Sequence, residues 1–317
     1  MDNREIFHFL SEARAAGRRC VLVTVASVSG SSMRDPGAHM AVCADGRFTG
    51  SLSGGCIEAA VVAEAQNTLN EGCPRMVRFG EGSPYLDIRL PCGGGLDIHF
   101  YPLDEDELVA SCHDAIVRRR PFGLRLPCGA GPAEFLREAG ETIWQRDGNV
   151  VEVAHWPAPK LLIAGHGAAS VKVARMGASM KMDVAFLSSD EQLVAELERD
   201  GFDAHLLKTP QDVSQLSGDR WTAIIFMFHD HDWEGHLMRH ALDQPHFYFG
   251  AMGGRQAHAL RVETLVELGA AAEQIASIHA PIGLFHSSRD PDTLALSVVA
   301  EVTAEYHRAM PRHKRGE

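Results

Sequence analysis

The sequence predicts an α/β protein: an N-terminal mixed α+β domain followed by a Rossmann-like, doubly wound domain on a parallel sheet. Three observations lead to this fold class. The first half of the 317-residue chain mixes strand and helix patterns without regular alternation. The second half alternates apolar strands with amphipathic helices, which is typical of a parallel sheet covered on both faces. Between them, HWPAPK (155–160) carries two prolines within three residues and predicts a linker.

The predicted domains are therefore 1–155 and 156–310, with a disordered basic tail at 311–317. Each element is justified by its own pattern: β-branched runs predict strands, apolar residues at helical spacing predict helices, and Asp-Gly predicts a hairpin turn. In order, the first domain has a helix in MDNREIFHFLSEARAAG, a strand in CVLVTVASVSG, a hairpin turning at Asp45-Gly46, a helix at 54–70, strands in PRMVRF, LDIRL and GLDIHFYPL, a helix at 104–119, and hairpins in 121–155.

The second domain begins with the strand in KLLIAG, a glycine turn and a helix. The pattern then repeats as strand, helix and strand, which indicates βαβ units. The remaining elements are strands in MDVAFLSSD, DAHLLK, WTAIIFMF and HFYFGAMGG, and helices in EQLVAELERDG, WEGHLMRHAL, 255–269 and 290–307.

Charge and cysteine content limit the function classes. The 42 acidic against 30 basic side chains give a formal charge of −12, which repels a phosphate backbone and argues against nucleic acid as a partner. No apolar run approaches the roughly 20 residues that span a bilayer, and the N-terminal helix lacks the apolar core of a signal peptide. The seven cysteines form no C-x-x-C pair, which is typical of a reducing compartment. We expect a soluble, cytoplasmic protein that binds neither membrane nor nucleic acid.

Two cysteines differ from the rest because glycines surround them. Cys56 lies in GSLSGGCIEAA, where Ser53 is the predicted N-cap of the helix 54–70, so that Cys56 falls in its first turn. Unpaired N–H groups at a helix start favour a thiolate or an anionic ligand. Cys92 lies in LPCGGGLDIHF, a turn that leads into a strand. Both turns are candidate ligand sites.

The second domain offers a candidate nucleotide site. GHGAAS follows a strand and opens a helix, and Gly165 and Gly167 match the first two glycines of a dinucleotide fingerprint. Ser170 replaces the third glycine, and Ser188 stands where an acid would hold the ribose. His229 and His231, in FHDHD, follow another strand at the edge where open α/β sheets bind ligands. These residues predict a Rossmann fold and a ligand cleft more firmly than tight NAD binding.

Together these motifs form a pattern. VSGSSMRDPGAHMAVCADGRFTGSLSGGCIEAAVV, the Cys92-Gly93-Gly94 turn, and FHDHD, YFGAMGGR, APIGL and ALSVVAEVTAE of the second half resemble the XdhC/CoxI family. Members are maturation factors of xanthine dehydrogenase and related molybdenum hydroxylases. The departures are Met33 in place of the usual proline, Ser170 and Ser188 at the nucleotide site, Gly254 before Arg255, and FHSSRDP after APIGL.

The resemblance implies a cofactor chaperone. Such proteins bind the molybdenum cofactor, hold it while a cysteine desulfurase replaces an oxo ligand by sulfido, and deliver it to the apo-hydroxylase. The implied contacts are Cys56 for molybdenum or a passing sulfur, with Glu58 as proton partner or as a charge that favours the helix dipole. Anion contacts are implied for Ser31, Ser32, Arg34, Gly54, Gly55, Cys92, Gly93 and Gly94.

The sequence is also compatible with two other hypotheses. An NAD(P)- or flavin-dependent oxidoreductase with a redox-active Cys56 would bind a nucleotide at Gly165 and Gly167. A partner-binding module would recruit the desulfurase or the hydroxylase without binding cofactor. The resemblance favours a chaperone that is not itself an enzyme and implies a homodimer. They leave open whether the cofactor is plain molybdopterin or its cytosine dinucleotide.

Overall fold

The computed structural model describes residues 3–83, 93–228, 231–285 and 290–310, with the backbone alone for residues 231 and 232. The predicted strand LDIRL and the predicted tail 311–317 lie outside these ranges. The chain forms two compact units, Met1–Pro157 and Ala158–Glu317, so their boundary falls within the predicted linker.

The first unit contains two antiparallel sheets and three helices within the described ranges. The larger sheet has the strand order β3-β2-β1-β5-β4 and the smaller has the order β7-β6-β9-β8. Its elements are α1 (Asn3–Ala15), β1 (Cys20–Ser29), β2 (His39–Cys43), β3 (Phe48–Gly50), α2 (Glu58–Glu71), β4 (Arg75–Gly80), β5 (Gly95–Leu103), α3 (Asp106–Val117), β6 (Phe122–Pro127), β7 (Glu134–Leu136), β8 (Ile143–Gln145) and β9 (Val150–His155).

The central strand β1 is buried on both faces, which explains its unbroken apolar run. Alternate residues enter different cores. Cys20 and Leu22 pack with α1, α3 and the smaller sheet. On the other face of the sheet, Val21 and Val23 pack with α2 and with side chains from the neighbouring strands β4 and β5. The larger sheet is therefore the middle layer of the unit.

Two buried histidines lie where the smaller sheet packs against the larger. His39 Nδ1 is 2.9 Å from Thr24 Oγ1, and His39 Nε2 is 3.3 Å from His155 Nε2. The His155 ring stacks on Phe122, with ring centroids 4.4 Å apart. Burial lowers the pKa of His39 to about 4 and holds that of His155 well below its ordinary value. Both rings are therefore neutral at physiological pH.

The second unit is the predicted doubly wound sheet. Its five strands are parallel in the order β12-β11-β10-β13-β14, so the direction of winding reverses beside β10. One core joins the sheet to α4, α5 and α9, and the other joins it to α6, α7 and α8. Its elements are β10 (Lys160–Gly165), α4 (Ala168–Ser179), β11 (Asp183–Ser188), α5 (Glu191–Arg199), β12 (Asp203–Leu206), β13 (Thr222–Met227), α6 (His231–Ala241), β14 (Tyr248–Ala251), α7 (Arg255–Glu267), α8 (Ala272–Ala276) and α9 (Pro291–Ala309).

Candidate functional site

The cysteine loop, residues 51–57, connects β3 to α2, and it corrects one prediction. Helix α2 begins at Glu58 rather than near residue 54, so Cys56 lies two residues before the helix and not in its first turn. Gly54 and Gly55 have φ of +78° and +113°, which a right-handed helix does not allow. Ser53 is not the N-cap, although its hydroxyl accepts N–H bonds from Cys56 (3.0 Å) and Ile57 (3.1 Å). The thiol of Cys56 is exposed on this loop.

The carboxylate of Glu58 turns back from α2 into the cysteine loop and accepts six hydrogen bonds. Two hydroxyls donate to it, from Ser51 at 2.6 Å and Ser53 at 2.7 Å. Four backbone N–H groups also donate, from Leu52 (3.1 Å), Ser53 (3.0 Å), Gly55 (2.9 Å) and Ile57 (3.1 Å). A turn lined with N–H groups is an anion site, and here the protein's own carboxylate fills it.

These contacts set the charge of Glu58. Burial alone would raise the pKa of its carboxyl group, but the hydrogen bonds from Ser51 and Ser53 outweigh burial and lower the pKa to about 2. Glu58 is thus a fixed anion at neutral pH. The hydrogen bonds of Glu58 hold the cysteine loop together. Its predicted role as proton partner of Cys56 stays a prediction.

The loop after β1 packs against the cysteine loop. Arg34 Nε donates to the Ser51 carbonyl oxygen at 2.9 Å, which ties the two loops together. The Ser32 hydroxyl donates to the carbonyl oxygen of Arg34 at 2.9 Å and accepts its N–H at 3.1 Å. Ser31 is exposed. Three of the predicted anion contacts, Ser31, Ser32 and Arg34, therefore lie beside the cysteine loop.

The glycine turn before β5 contacts the loop that follows β1. A Cβ on Gly94 would lie 2.4 Å from the Ser31 carbonyl oxygen and 2.7 Å from that of Ser29, so only glycine allows this approach. Gly93, in the same turn, is exposed and has φ of +71°. Cys92 lies outside the described residues. The structure thus brings Gly93 and Gly94 to the loop that follows β1.

Sequence reasoning missed the ion pair beneath these loops. Arg78 Nη1 contacts Asp97 at 3.0 Å, and its Nη2 donates to the Ser29 hydroxyl at 2.7 Å. The Ser27 hydroxyl donates to the Asp97 carboxylate at 2.5 Å. The signal available in the sequence was Asp97, a charged residue within the predicted strand GLDIHFYPL. The pair fixes β4 and β5 to the end of β1 where the candidate site begins.

The glycine turn of the second unit is well packed. A Cβ on Gly165 would lie 2.6 Å from the carbonyl carbon of Met227, and Gly167 has φ of +87° just before α4. Ser170, at the third glycine position, is buried and donates to the Gly167 carbonyl oxygen at 2.8 Å. This hydrogen bond accommodates the serine at the third glycine position.

The acid that follows β11 caps a helix. The Ser188 hydroxyl accepts the Asp190 N–H at 3.1 Å, and Asp190 caps α5 by accepting the N–H of Leu193 at 3.1 Å. Asp190 is thus used as a helix cap. The oxidoreductase alternative, which needs a ribose-binding acid here, stays a prediction without support from these contacts.

Of the two predicted histidines after β13, His229 lies outside the described residues. His231 is the first residue of α6, at the carboxyl edge of the sheet, and only its backbone is described. Within the described ranges, no group of three His, Cys, Asp or Glu side chains is arranged to hold a metal ion. Cys56 as a molybdenum contact stays a prediction.

Glu301 joins three motifs of the second unit that sequence reasoning could place only separately. Its carboxylate accepts the Tyr248 hydroxyl at 2.5 Å and the Gly283 N–H at 2.6 Å, and it lies 3.2 Å from His279 Nδ1. These contacts connect YFGAMGGR, APIGL and the last helix. Glu301 therefore fixes the loop that carries APIGL.

The fold and the site define a class of protein: a two-unit α/β chain with an exposed cysteine on a preformed glycine loop and a separate Rossmann unit. Residues 13–80 match the XdhC and CoxI family, and residues 161–302 match the XdhC Rossmann domain. The molybdenum cofactor insertion chaperone PaoD of Escherichia coli (strain K12) is 35% identical over 303 residues, 96% of this chain and 88% of PaoD. The chain belongs to the XdhC/CoxI family, as its motifs predicted.

Two more distant comparisons agree on the fold. The uncharacterized protein YqeB of Escherichia coli (strain K12) is 21% identical over 306 residues, covering 93% of this chain but 45% of YqeB. A crystal structure described as a xanthine dehydrogenase from Bacillus halodurans superposes with a TM-score of 0.78 at 19% identity, covering 99% of this chain and 98% of that one. At that identity the likeness shows the fold alone. Among the helices of the described ranges, none has the length and apolar character to cross a bilayer.

Proposed function

We propose that this chain is a molybdenum cofactor insertion chaperone. It binds the cofactor as cargo and delivers it to an apo molybdenum hydroxylase of the xanthine dehydrogenase type. The similarity to PaoD over nearly the whole chain supports this function. The observation that carries it is the exposed Cys56 on a loop whose N–H groups, from Leu52 to Ile57, all have acceptors within the protein. A carrier needs such a contact, because the contact must form and break without refolding.

Different residues of the site suit the two chemically distinct ends of the cofactor. Molybdopterin joins a phosphate to a soft metal–dithiolene group, and a thiolate suits the soft end. The N–H groups of the cysteine loop already donate to Glu58, Ser53 and Ser51. We therefore assign the phosphate to the neighbouring Ser31, Ser32 and Arg34 and to the Gly93-Gly94 turn, and Cys92, which precedes that turn in the sequence, stays a proposed contact. Gly54 and Gly55 have no side chains, so they leave room beside Cys56 for the metal–dithiolene group.

The remaining assignments follow from the same function. The partners are the apo-hydroxylase and a cysteine desulfurase, which sulfurates the cofactor while the chaperone holds it. Gly165, Gly167, His229 and His231 remain the proposed nucleotide contacts of the Rossmann unit. The protein works in the cytoplasm, where the cofactor is assembled, and as a homodimer.

The test is cofactor binding by the wild type, Cys56→Ser and Cys73→Ser. Cys73 is also exposed but lies beyond α2, so it is a matched control. Bound pterin is quantified after oxidation to its fluorescent derivative, together with molybdenum and any released cytidine nucleotide. We expect near-stoichiometric cofactor on the wild type and on Cys73→Ser, and affinity lower by about tenfold or more for Cys56→Ser.

The cytidine measurement identifies the form of the cofactor. Equal retention by Cys56→Ser and wild type would remove Cys56 from the site. Absence of cofactor from the wild type, under conditions that load PaoD, would overturn the chaperone function and direct the search to a nucleotide at Gly165 and Gly167.

A further inference from the structure

Met33 is an unusual surface residue. Its side chain is 76% exposed, the highest value among the large apolar side chains in the described ranges. Methionine is normally a core residue, because its thioether and methylene groups are apolar. It occupies the loop that Arg34 ties to the cysteine loop. The backbone of Met33 is therefore held close to the cysteine loop.

The thioether rests directly on the cysteine loop. The Sδ and Cε atoms of Met33 lie 3.2 Å and 3.4 Å from the point that a Cβ on Gly54 would occupy. The next glycine, Gly55, has nothing within 4 Å of the corresponding point. A bare stretch of backbone thus runs from Met33 across the two glycines to the exposed Cys56.

The N–H groups of this stretch donate to acceptors within the protein. The N–H of Gly54 donates to the Ser51 hydroxyl at 3.0 Å, and those of Gly55 and Cys56 donate to Glu58 and Ser53. The side chains at the two ends of this stretch are soft and weakly polar: a thioether at one end and a thiol at the other. Such a surface suits a polarizable group better than it suits a phosphate.

We propose that Met33 packs on the soft end of the bound cofactor, covering the dithiolene sulfurs and the adjoining pterin ring while Cys56 contacts the metal or its sulfur ligand. This inference rests on the proposed function and adds a specificity-determining residue to it. The thioether of methionine is soft and polarizable, as the dithiolene sulfurs are, so the two groups suit each other. Met33 thereby buries apolar surface that is exposed in the empty protein.

The experiment measures the dissociation constant of the molybdenum cofactor by ultrafiltration and pterin fluorescence for four full-length proteins. They are the wild type, Met33→Ser, Met33→Leu and Met180→Ser. Met180 is an exposed methionine of the second unit and serves as the matched control. Thermal unfolding of each variant checks that the fold is intact, which the exposure of both positions favours.

We expect about tenfold weaker binding for Met33→Ser and a loss within about threefold for Met33→Leu, which keeps the apolar surface. Met180→Ser should bind as the wild type does. If the wild type binds cofactor and Met33→Ser binds equally well, the inference is wrong while the chaperone function stands. If the wild type binds none, both are overturned.

Discussion

At the scale of single residues, the carboxylate of Glu58 determines the shape of the cysteine loop. It is the common acceptor for two serine hydroxyls and four backbone N–H groups. Hydrogen bonds to a charged group are worth more than neutral ones. The loop is therefore a structured element although it has no regular secondary structure.

Replacement of Glu58 by Gln should destabilise the protein by about 2 kcal/mol. The amide NH2 of Gln would face N–H and O–H donors that need an acceptor. Urea unfolding gives the free energy, and hydrogen exchange should show faster exchange at Leu52 to Ile57. Glu71→Gln, at the exposed far end of the same helix, is the control and should change stability little. Unchanged loop exchange in Glu58→Gln would contradict the assignment.

The same residue predicts a dependence on pH. The pKa of Glu58 is about 2 in the folded protein against an ordinary 4.5, so its contribution is fully present above pH 4.5. The contribution is lost as pH falls from 4.5 towards 2, because the unfolded chain takes up the proton first. The difference in free energy of unfolding between wild type and Glu58→Gln should narrow over that range. If this difference in the free energy of unfolding did not change with pH, the charge of Glu58 would not be the source of the stabilisation.

No pattern in the sequence predicted this role. Glycines, a cysteine and a helix start were visible in GSLSGGCIEAA, but the helix was predicted to begin at residue 54 and begins at Glu58. The direction of the Glu58 side chain depends on the left-handed conformations of Gly54 and Gly55, which sequence allows but does not specify. The helix start was misjudged for the same reason.

At the scale of elements, the candidate site depends on the pairing of β1 with β5. Ser29 and Gly95 are partners in that ladder, which brings the Gly93-Gly94 turn to the loop after β1. The strands are far apart in the chain, so local patterns could predict each of them but not their pairing. Both loops were predicted to be functional; their contact is a result of the fold.

Gly94→Ala should destabilise the first unit by about 2 kcal/mol, because its Cβ would overlap the carbonyl oxygens of Ser29 and Ser31. Gly93→Ala is the matched comparison. Nothing lies within 4 Å of its Cβ position, so its cost is limited to the backbone strain of a positive φ, about 1 kcal/mol. Urea unfolding of both variants measures the difference. Equal costs would mean that the close approach at Gly94 is not required.

The contact between the two sheets of the first unit predicts acid sensitivity. His39 and His155 are buried and neutral, and burial lowers both pKa values below the ordinary 6.5. The unfolded state therefore binds more protons below pH 6.5, and the folded state loses stability as pH falls from 6.5 towards 4. His155→Phe should reduce this loss, measured as the free energy of unfolding between pH 7 and 5. His8→Gln, on the exposed face of α1, should keep the wild-type slope.

At the scale of the whole molecule, each unit has its own hydrophobic cores. The second unit was the more predictable of the two. Its strands and helices alternate locally, and the right-handed crossover rule then leaves few arrangements. The first unit pairs strands across long separations, so its division into two sheets did not follow from the sequence.

Separate cores also predict separate responses to substitution. Glu301→Gln removes a charged acceptor from Tyr248, His279 and Gly283 and should cost about 2 kcal/mol. Hydrogen exchange should increase in β14 and around Gly283 while the amides of the first unit keep their protection. Glu263→Gln, on the exposed side of α7, should leave both units unchanged. Loss of protection in the first unit would contradict the independence of the cores.

The self-contained cysteine loop has a further consequence for the timing of transfer. Under the proposed function, its N–H groups are satisfied by Glu58, Ser51 and Ser53 before any cargo arrives, so binding orders little of the chain and departure leaves no broken network behind. The barrier to release is then set by the few contacts that touch the cargo. A carrier constructed in this way can give up its load to a deeper pocket as fast as those contacts open.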